Sequence, residues 1–447
     1  MLSQKVTHHF IFWLFLLLGW ECANYRGNAG RSDDFAREVA IKWNRMLLDL
    51  ERFTPGYKPP VSARMFAYIN LAAYETYIEG MSEQQSMEVY LKGYQRPARN
   101  GSGGAFCSGA ALNAAYSSMV KHFFPKASSV LLEKAVLLEQ RLSDDSQQVA
   151  DSVVVFRSEM IGRAVAKAVW EWSTTDSVGH NSYLVRADAS FHLPECEGCW
   201  QSVEQGVGQP MLPSWGRVRS FIVPLEELEP RAPASYSEAP GSYFYNQAME
   251  VFALSHSMSK SNQWISEFWS DDVTGLTITP AGRWISIASQ ALENECPSSL
   301  KTVEVYLKTS LALSDALVAC WALKYQYNVE RPRTYINRLI QKEWQPYLED
   351  PPFPSYPAGH AMLSSAAAEV LDQAFGVPYE LTDYTHDGRQ EYAGMPRAFH
   401  SFSEMAQENA LSRLMAGVHY RMDCDEGTRL GSVIGKKIAS LPLKKQL

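Results

Sequence analysis

Apolar residues recur at intervals of three and four along most of the chain, the period of a helix that buries one face. Within residues 34–52, Phe35, Val39, Ile41, Trp43, Met46, Leu47 and Leu50 follow this spacing. Helices are predicted there, over 62–80 with Gly80 as C-cap, and over 105–124, 128–142 and 146–173. Pro125 and the polar Ser143-Asp144-Asp145 separate the last three. Helical patterning resumes over 242–257, 261–270, 281–294 and 299–327. Thr279-Pro280 opens one of these, since threonine caps a helix start and proline suits its first turn. Further helices cover 361–374, 402–411 and 426–439. No segment alternates as a strand should, and no repeat of fixed period is present. The expected fold class is all-α, built of helical bundles.

Between these helices, residues 174–241 change character and become rich in Pro, Gly, Ser and Trp. A structureless stretch of this length inside a compact domain is uncommon unless it is functional. The expected organisation is therefore an N-terminal helical bundle at 30–175, a long loop over the site at 176–241, and a C-terminal catalytic bundle at 242–442. His180 and His192 fall in the loop and read as surface residues, while His122 reads as structural.

The chain has 447 residues, 46% hydrophobic and 20% charged, with a formal net charge of −8. It has no long basic run, which argues against nucleic acid as a partner. Lys5, His8 and His9 precede the apolar run 10–20, the pattern of a secretory signal, here assigned to 1–24. The run is too short to span a bilayer comfortably, and no later stretch is apolar enough to do so. Export to the periplasm, cell surface or medium is expected. Cys22 is a candidate lipid-bearing residue, although Gly19-Trp20-Glu21 matches the small-residue consensus poorly. Beyond it lie six cysteines. Cys196 and Cys199 form a lone C-x-x-C, too few ligands for zinc, so a local disulfide or two free thiols is expected.

Candidate chemistry concentrates in the last third of the chain. Ser412, Arg413, His419 and Asp423 belong to one short stretch flanked by helical segments. On a continuous helix, Ser412, His419 and Asp423 share a face, so the carboxylate would orient one ring nitrogen and leave the other as nucleophile or ligand. Arg413 would bend back toward an anion at the histidine. Upstream, Lys324 and Arg331 are seven apart with Pro332 following, and they share a face if the helical turn continues. Pro332 disfavours helix at Arg331, which is expected to mark the helix end. Apolar neighbours suggest partial burial, and buried cations imply an anion. The proline run 351–357 then leads through Ala358 to Gly359 and His360 at a helix start, where free backbone N–H groups bind oxyanions and a histidine can transfer protons.

Taken in order, K-x6-R-P, P-x-G-H and S-R-x5-H-x3-D resemble the superfamily of vanadium-dependent haloperoxidases and type 2 phosphatidic acid phosphatases. Pro59-Pro-Val-Ser-Ala-Arg64, Pro213-Ser-Trp-Gly216 and Phe268-Trp-Ser-Asp-Asp272 look like its bacterial haloperoxidase branch. The resemblance implies vanadate as cofactor, with His419 as the metal ligand or, in a phosphatase, the nucleophile. It implies that Lys324, Arg331, Arg413 and the Gly359 amide hold the oxyanion, that His360 is the acid–base group, and that Asp423 orients His419. Trp321, Phe353 and Ala358 would line a halide pocket. Ala358 departs from the serine usual before Gly-His, and the lost hydroxyl is expected to alter activity or halide preference. The implied reaction oxidises iodide or bromide with hydrogen peroxide to hypohalous acid. The alternatives are a secreted acid phosphatase with a histidine nucleophile and a non-catalytic oxyanion binder.

Overall fold

A computed structural model describes residues 28–97, 104–184, 191–201, 209–271, 273, 275–387 and 395–445. The expected signal segment and Cys22 lie outside the described residues. Thirteen helices appear among them. The first five are α1 (Asn28–Phe53), α2 (Pro59–Tyr77), α3 (Ser108–Phe123), α4 (Ser129–Ser146) and α5 (Ser152–Thr174). They are followed by α6 (Tyr243–His256), α7 (Lys260–Phe268), α8 (Pro280–Glu295), α9 (Ser299–Tyr327) and α10 (Pro332–Leu339). The last three are α11 (Gly359–Phe375), α12 (Phe402–Met415) and α13 (Arg421–Ala439). The all-α expectation holds, and Thr279 accepts from the Gly282 amide at the start of α8 as its sequence position predicts.

Two short strands, Leu381–Asp383 and Arg397–Phe399, pair antiparallel and were not expected. Three residues are too few for a period-two pattern to register in sequence.

Helix α9 is the axis of the molecule. It is buried along most of its length and packs against α1 and α2 on one side and α11 and α13 on the other. One apolar cluster runs through both groups of helices. Between α5 and α6 the chain forms an irregular strap with only short 3-10 turns among its described residues. The buried carboxylate of Asp315 on α9 secures this strap, accepting from the amides of Phe221, Ile222 and Val223 at 2.7–2.8 Å. The strap therefore stays against α9, and its residues Met211 and Leu212 reach the cavity described below.

Helices α11 and α13 approach closely because α13 presents glycine every fourth residue to its neighbour. A Cβ on Gly431 would lie 2.1 Å from the Met362 carbonyl oxygen, and one on Gly427 would lie 2.7 Å from that of Ala358. Alanines 361, 366 and 367 keep the facing side of α11 equally thin. This contact brings the start of α11 against the start of α13, where the Ala358 amide donates to the Asp423 carbonyl at 2.9 Å. Among the described residues, no helix is long and apolar enough to cross a membrane.

Candidate active site

The His419 stretch is not one continuous helix. Helix α12 ends at Met415, Gly417 takes φ +82°, and α13 begins only at Arg421. Asp423 sits in the first turn of α13, where its Oδ2 accepts the Tyr420 amide at 3.0 Å, a helix-start contact. The same oxygen lies 3.0 Å from His419 Nδ1 and accepts the Ser355 hydroxyl at 2.6 Å. The expected pairing is present, but it is made by a turn and a helix start. Ser412, expected on the same face, instead donates to the Asn409 carbonyl within α12.

Asp423 thus fixes Nδ1 of His419 as the protonated nitrogen and turns Nε2 away from it. Nε2 lies 3.2 Å from Arg331 Nη1. Burial, followed by the charges of Arg331, Lys324 and Arg413, pushes the His419 imidazole well below its usual pKa. A neutral ring protonated at Nδ1 keeps its lone pair on Nε2, where it accepts from Arg331 Nη1, and this is the form that can act as ligand or nucleophile. Burial raises the Asp423 carboxyl, while Ser355 and the Tyr420 amide oppose that shift.

The α9 helix ends at Tyr327, four residues before Arg331, because Asn328 adopts a left-handed conformation. Lys324 and Arg331 nevertheless converge, through the loop that precedes α11. Lys324 is wholly buried, and its three N–H donors go to the carbonyls of Pro354, Ser355 and Pro357 at 2.9, 2.9 and 2.7 Å. Arg331 donates to the carbonyls of Phe353 and Pro354 on that loop and to Val418 beside His419. Both cations lie 5.0–5.1 Å from the centre of the Phe353 ring. They form a charged layer behind the loop, and burial lowers the pKa of Lys324. The disulfide Cys196–Cys199 supports this layer from outside. Glu330 N donates to Gly198 O, and Trp200 N to Asn328 O, immediately before Arg331.

Gly359, His360, Arg413 and His419 line a single cavity of about 790 Å³. His360 Nε2 and Arg413 Nε are buried there without hydrogen-bond partners. No side chain caps the first turn of α11, so its N–H groups remain available to an anion. Burial, then Arg413, Lys324 and Arg331, hold His360 well below its usual pKa. Arg413 donates through Nη1 to the Trp269 carbonyl at 3.0 Å, which steadies it from the segment before α8. Trp321 and Phe353 also line the cavity, their ring centres 5.0 Å apart. Trp321 is held through Nε1 by the Met211 carbonyl of the strap.

Ala358 is placed differently from the expectation. It is fully buried in a small cluster with Ala361, Ala410, Leu414 and Cys424, and it is not among the cavity walls. Sequence reasoning also missed Ser355 and Asp350. Ser355 was visible only as a serine within a proline run, and nothing local marks it as a partner of Asp423. The cavity wall also contains Asp350, on the segment that leads into Pro351 and Phe353.

The fold coincides with that of known proteins. Residues 340–444 match the model of the VCPO second helical-bundle domain. The chain is similar to the vanadium haloperoxidases. It is 21% identical to the vanadium chloroperoxidase of Curvularia inaequalis over 88% of this chain and 80% of that protein. The crystal structure of the first bacterial vanadium-dependent iodoperoxidase superposes with a TM-score of 0.79 and 28% identity. It covers 92% of this chain and 97% of its own. An apo-type bacterial vanadium-dependent chloroperoxidase shares the fold at a TM-score of 0.65 and 17% identity, covering 87% of this chain and 98% of its own.

Proposed function

We propose that this chain is a vanadate-dependent haloperoxidase that oxidises halide with hydrogen peroxide, with iodide or bromide favoured. The observation that carries the reading is His419: neutral, anchored at Nδ1 by Asp423, and with Nε2 beside Arg331. The unpartnered His360 Nε2 and Arg413 Nε in the same cavity fit a tetrahedral oxyanion, because each needs a hydrogen-bonding partner that an anion supplies. The 28%-identical iodoperoxidase supports the choice of chemistry and halide.

In this reading His419 Nε2 is the ligand to vanadium. Arg413 and the first amides of α11 would hold the oxygens, with Arg331 and Lys324 raising the local positive potential from behind the loop. When bound, vanadate supplies the Lewis acidity that activates peroxide toward halide. His360 Nε2, neutral and unpartnered at the cavity, would take up and return the proton of the peroxide. Trp321 and Phe353 exclude water from the place where halide reacts. Export is supported by the apolar run 10–20 and by the Cys196–Cys199 bond, since disulfides persist mainly in oxidising compartments.

The test uses purified protein freed of bound oxyanion, loaded with orthovanadate and assayed for peroxide-dependent oxidation of iodide and bromide. Hydrolysis of a phosphomonoester is measured in parallel. Vanadate should switch halide oxidation on, phosphate should compete with it, and His419→Ala should bind no vanadate while remaining folded. Hydrolysis without vanadate, inhibited by vanadate, together with no halide oxidation, would replace this reading with a phosphatase.

A further inference from the structure

The cavity wall carries a buried carboxyl for which the proposed chemistry has no use. Asp350 lies three residues before Phe353, and with Pro351 and Pro352 it lines the same cavity as His360, Arg413 and His419. Its residue is 5% exposed, yet neither carboxyl oxygen has a hydrogen-bond partner. A buried carboxylate ordinarily collects donors, because an unbonded charge away from water is costly.

The cations that act on Asp350 are Arg331 and Arg333. Arg331 spends its N–H groups on the Phe353, Pro354 and Val418 carbonyls and makes no bond to this carboxyl. The negative charge of Asp350 is therefore attenuated by cations and not cancelled by a hydrogen-bonded one. Any anion entering the cavity meets it in surroundings of low dielectric, where like charges repel strongly.

We propose that Asp350 sets the anion affinity of this cavity: ionised it weakens binding of halide and tetrahedral oxyanions, and protonated it stops opposing them. This rests on the reading of the cavity as an oxyanion and halide site. Other charged or titratable groups on the walls are Lys58, Asp271, Tyr347, Glu349, His360, Arg413 and His419. The two histidines are held neutral, and Asp271 pairs with Arg283. Burial pushes the Asp350 carboxyl up to about 6, against the pull of Arg331 and Arg333. Its charge therefore changes between pH 5 and pH 8. Asp423, behind His419, is also raised by burial. It is present in both wild type and variant, so a comparison between them isolates Asp350.

The experiment titrates inorganic phosphate and, separately, orthovanadate into protein freed of oxyanion, by calorimetry at pH 5 and pH 8. Wild type is compared with Asp350→Asn. The variant should bind both anions about tenfold more tightly than wild type at pH 8 and within about twofold of it at pH 5. After vanadate loading, its KM for iodide at pH 8 should fall in the same direction. Asp350→Leu, which also removes the charge, should repeat the pattern if the asparagine variant folds poorly. Equal affinities at both pH values, or an equal gain at both, would overturn the proposal while leaving the haloperoxidase reading intact. Wild type that binds neither anion at either pH would overturn both.

Discussion

His419 Nδ1 and Asp423 Oδ2 lie 3.0 Å apart across the turn that joins α12 to α13, and this one contact decides which ring nitrogen faces the cavity. Two independent donors, the Tyr420 amide and the Ser355 hydroxyl, fix the carboxylate in place. The pair is therefore oriented from two directions, by the start of α13 and by the loop before α11.

Replacing Asp423 with Ala removes the group that selects the His419 tautomer. Loss of such an outer partner costs about 10- to 100-fold in metal affinity. Calorimetric titration with orthovanadate should show a weakening of this size, with the circular dichroism of the helices unchanged.

Ser355→Ala removes a hydrogen bond to the ionised form of Asp423. Such a bond is worth about 1.5–3 kcal/mol, or roughly one to two pH units. Less support for the carboxylate means a higher Asp423 pKa. The acid limb of vanadate binding should then move to higher pH by about one unit or more. A merely structural serine would lower affinity equally at all pH values, so the pH profile distinguishes the two roles.

Asp350 also ties stability to pH. Burial holds its folded pKa at about 6, above the ordinary 3.8 of an aspartate. A group raised in this way contributes its stabilisation below the unfolded pKa and loses it as pH rises through the folded one. Asp350→Asn has no such loss. Relative to wild type, the variant should gain up to about 3 kcal/mol on going from pH 4 to pH 8. Denaturant midpoints at the two pH values measure this difference.

Gly431→Ala puts a methyl group against the Met362 carbonyl. Forcing α13 away from α11 should cost about 1–3 kcal/mol, as overpacking does. It should also weaken phosphate binding, although residue 431 lies outside the cavity walls, because the two helix starts carry His360 and Asp423. A thermal melt and a phosphate titration on the same sample check both effects.

Much of the helical framework was legible locally. The 299–327 helix was expected with the bounds it has, and the Thr279-Pro280 start behaves as its residue types require. The order and spacing of Lys324, Arg331, Gly359, His360, Arg413, His419 and Asp423 also point to an oxyanion from the sequence alone. These are local properties: side-chain periodicity, capping chemistry and the reach of a residue from its neighbours.

Only the tertiary structure decided how the cations are used. Three carbonyls of a loop some thirty residues downstream take all of the Lys324 donors, which no periodicity encodes. The break at Gly417 turned an expected helical face into a turn. Ser355 joined His419 and Asp423 only because α13 could settle on α11 through glycine and alanine. Ala358 went into a buried apolar cluster, whereas Asp350 was left in the cavity wall without a donor. In each case the deciding term is desolvation together with pairing across long sequence separations. Both depend on which surfaces meet, and that is determined when the helices pack.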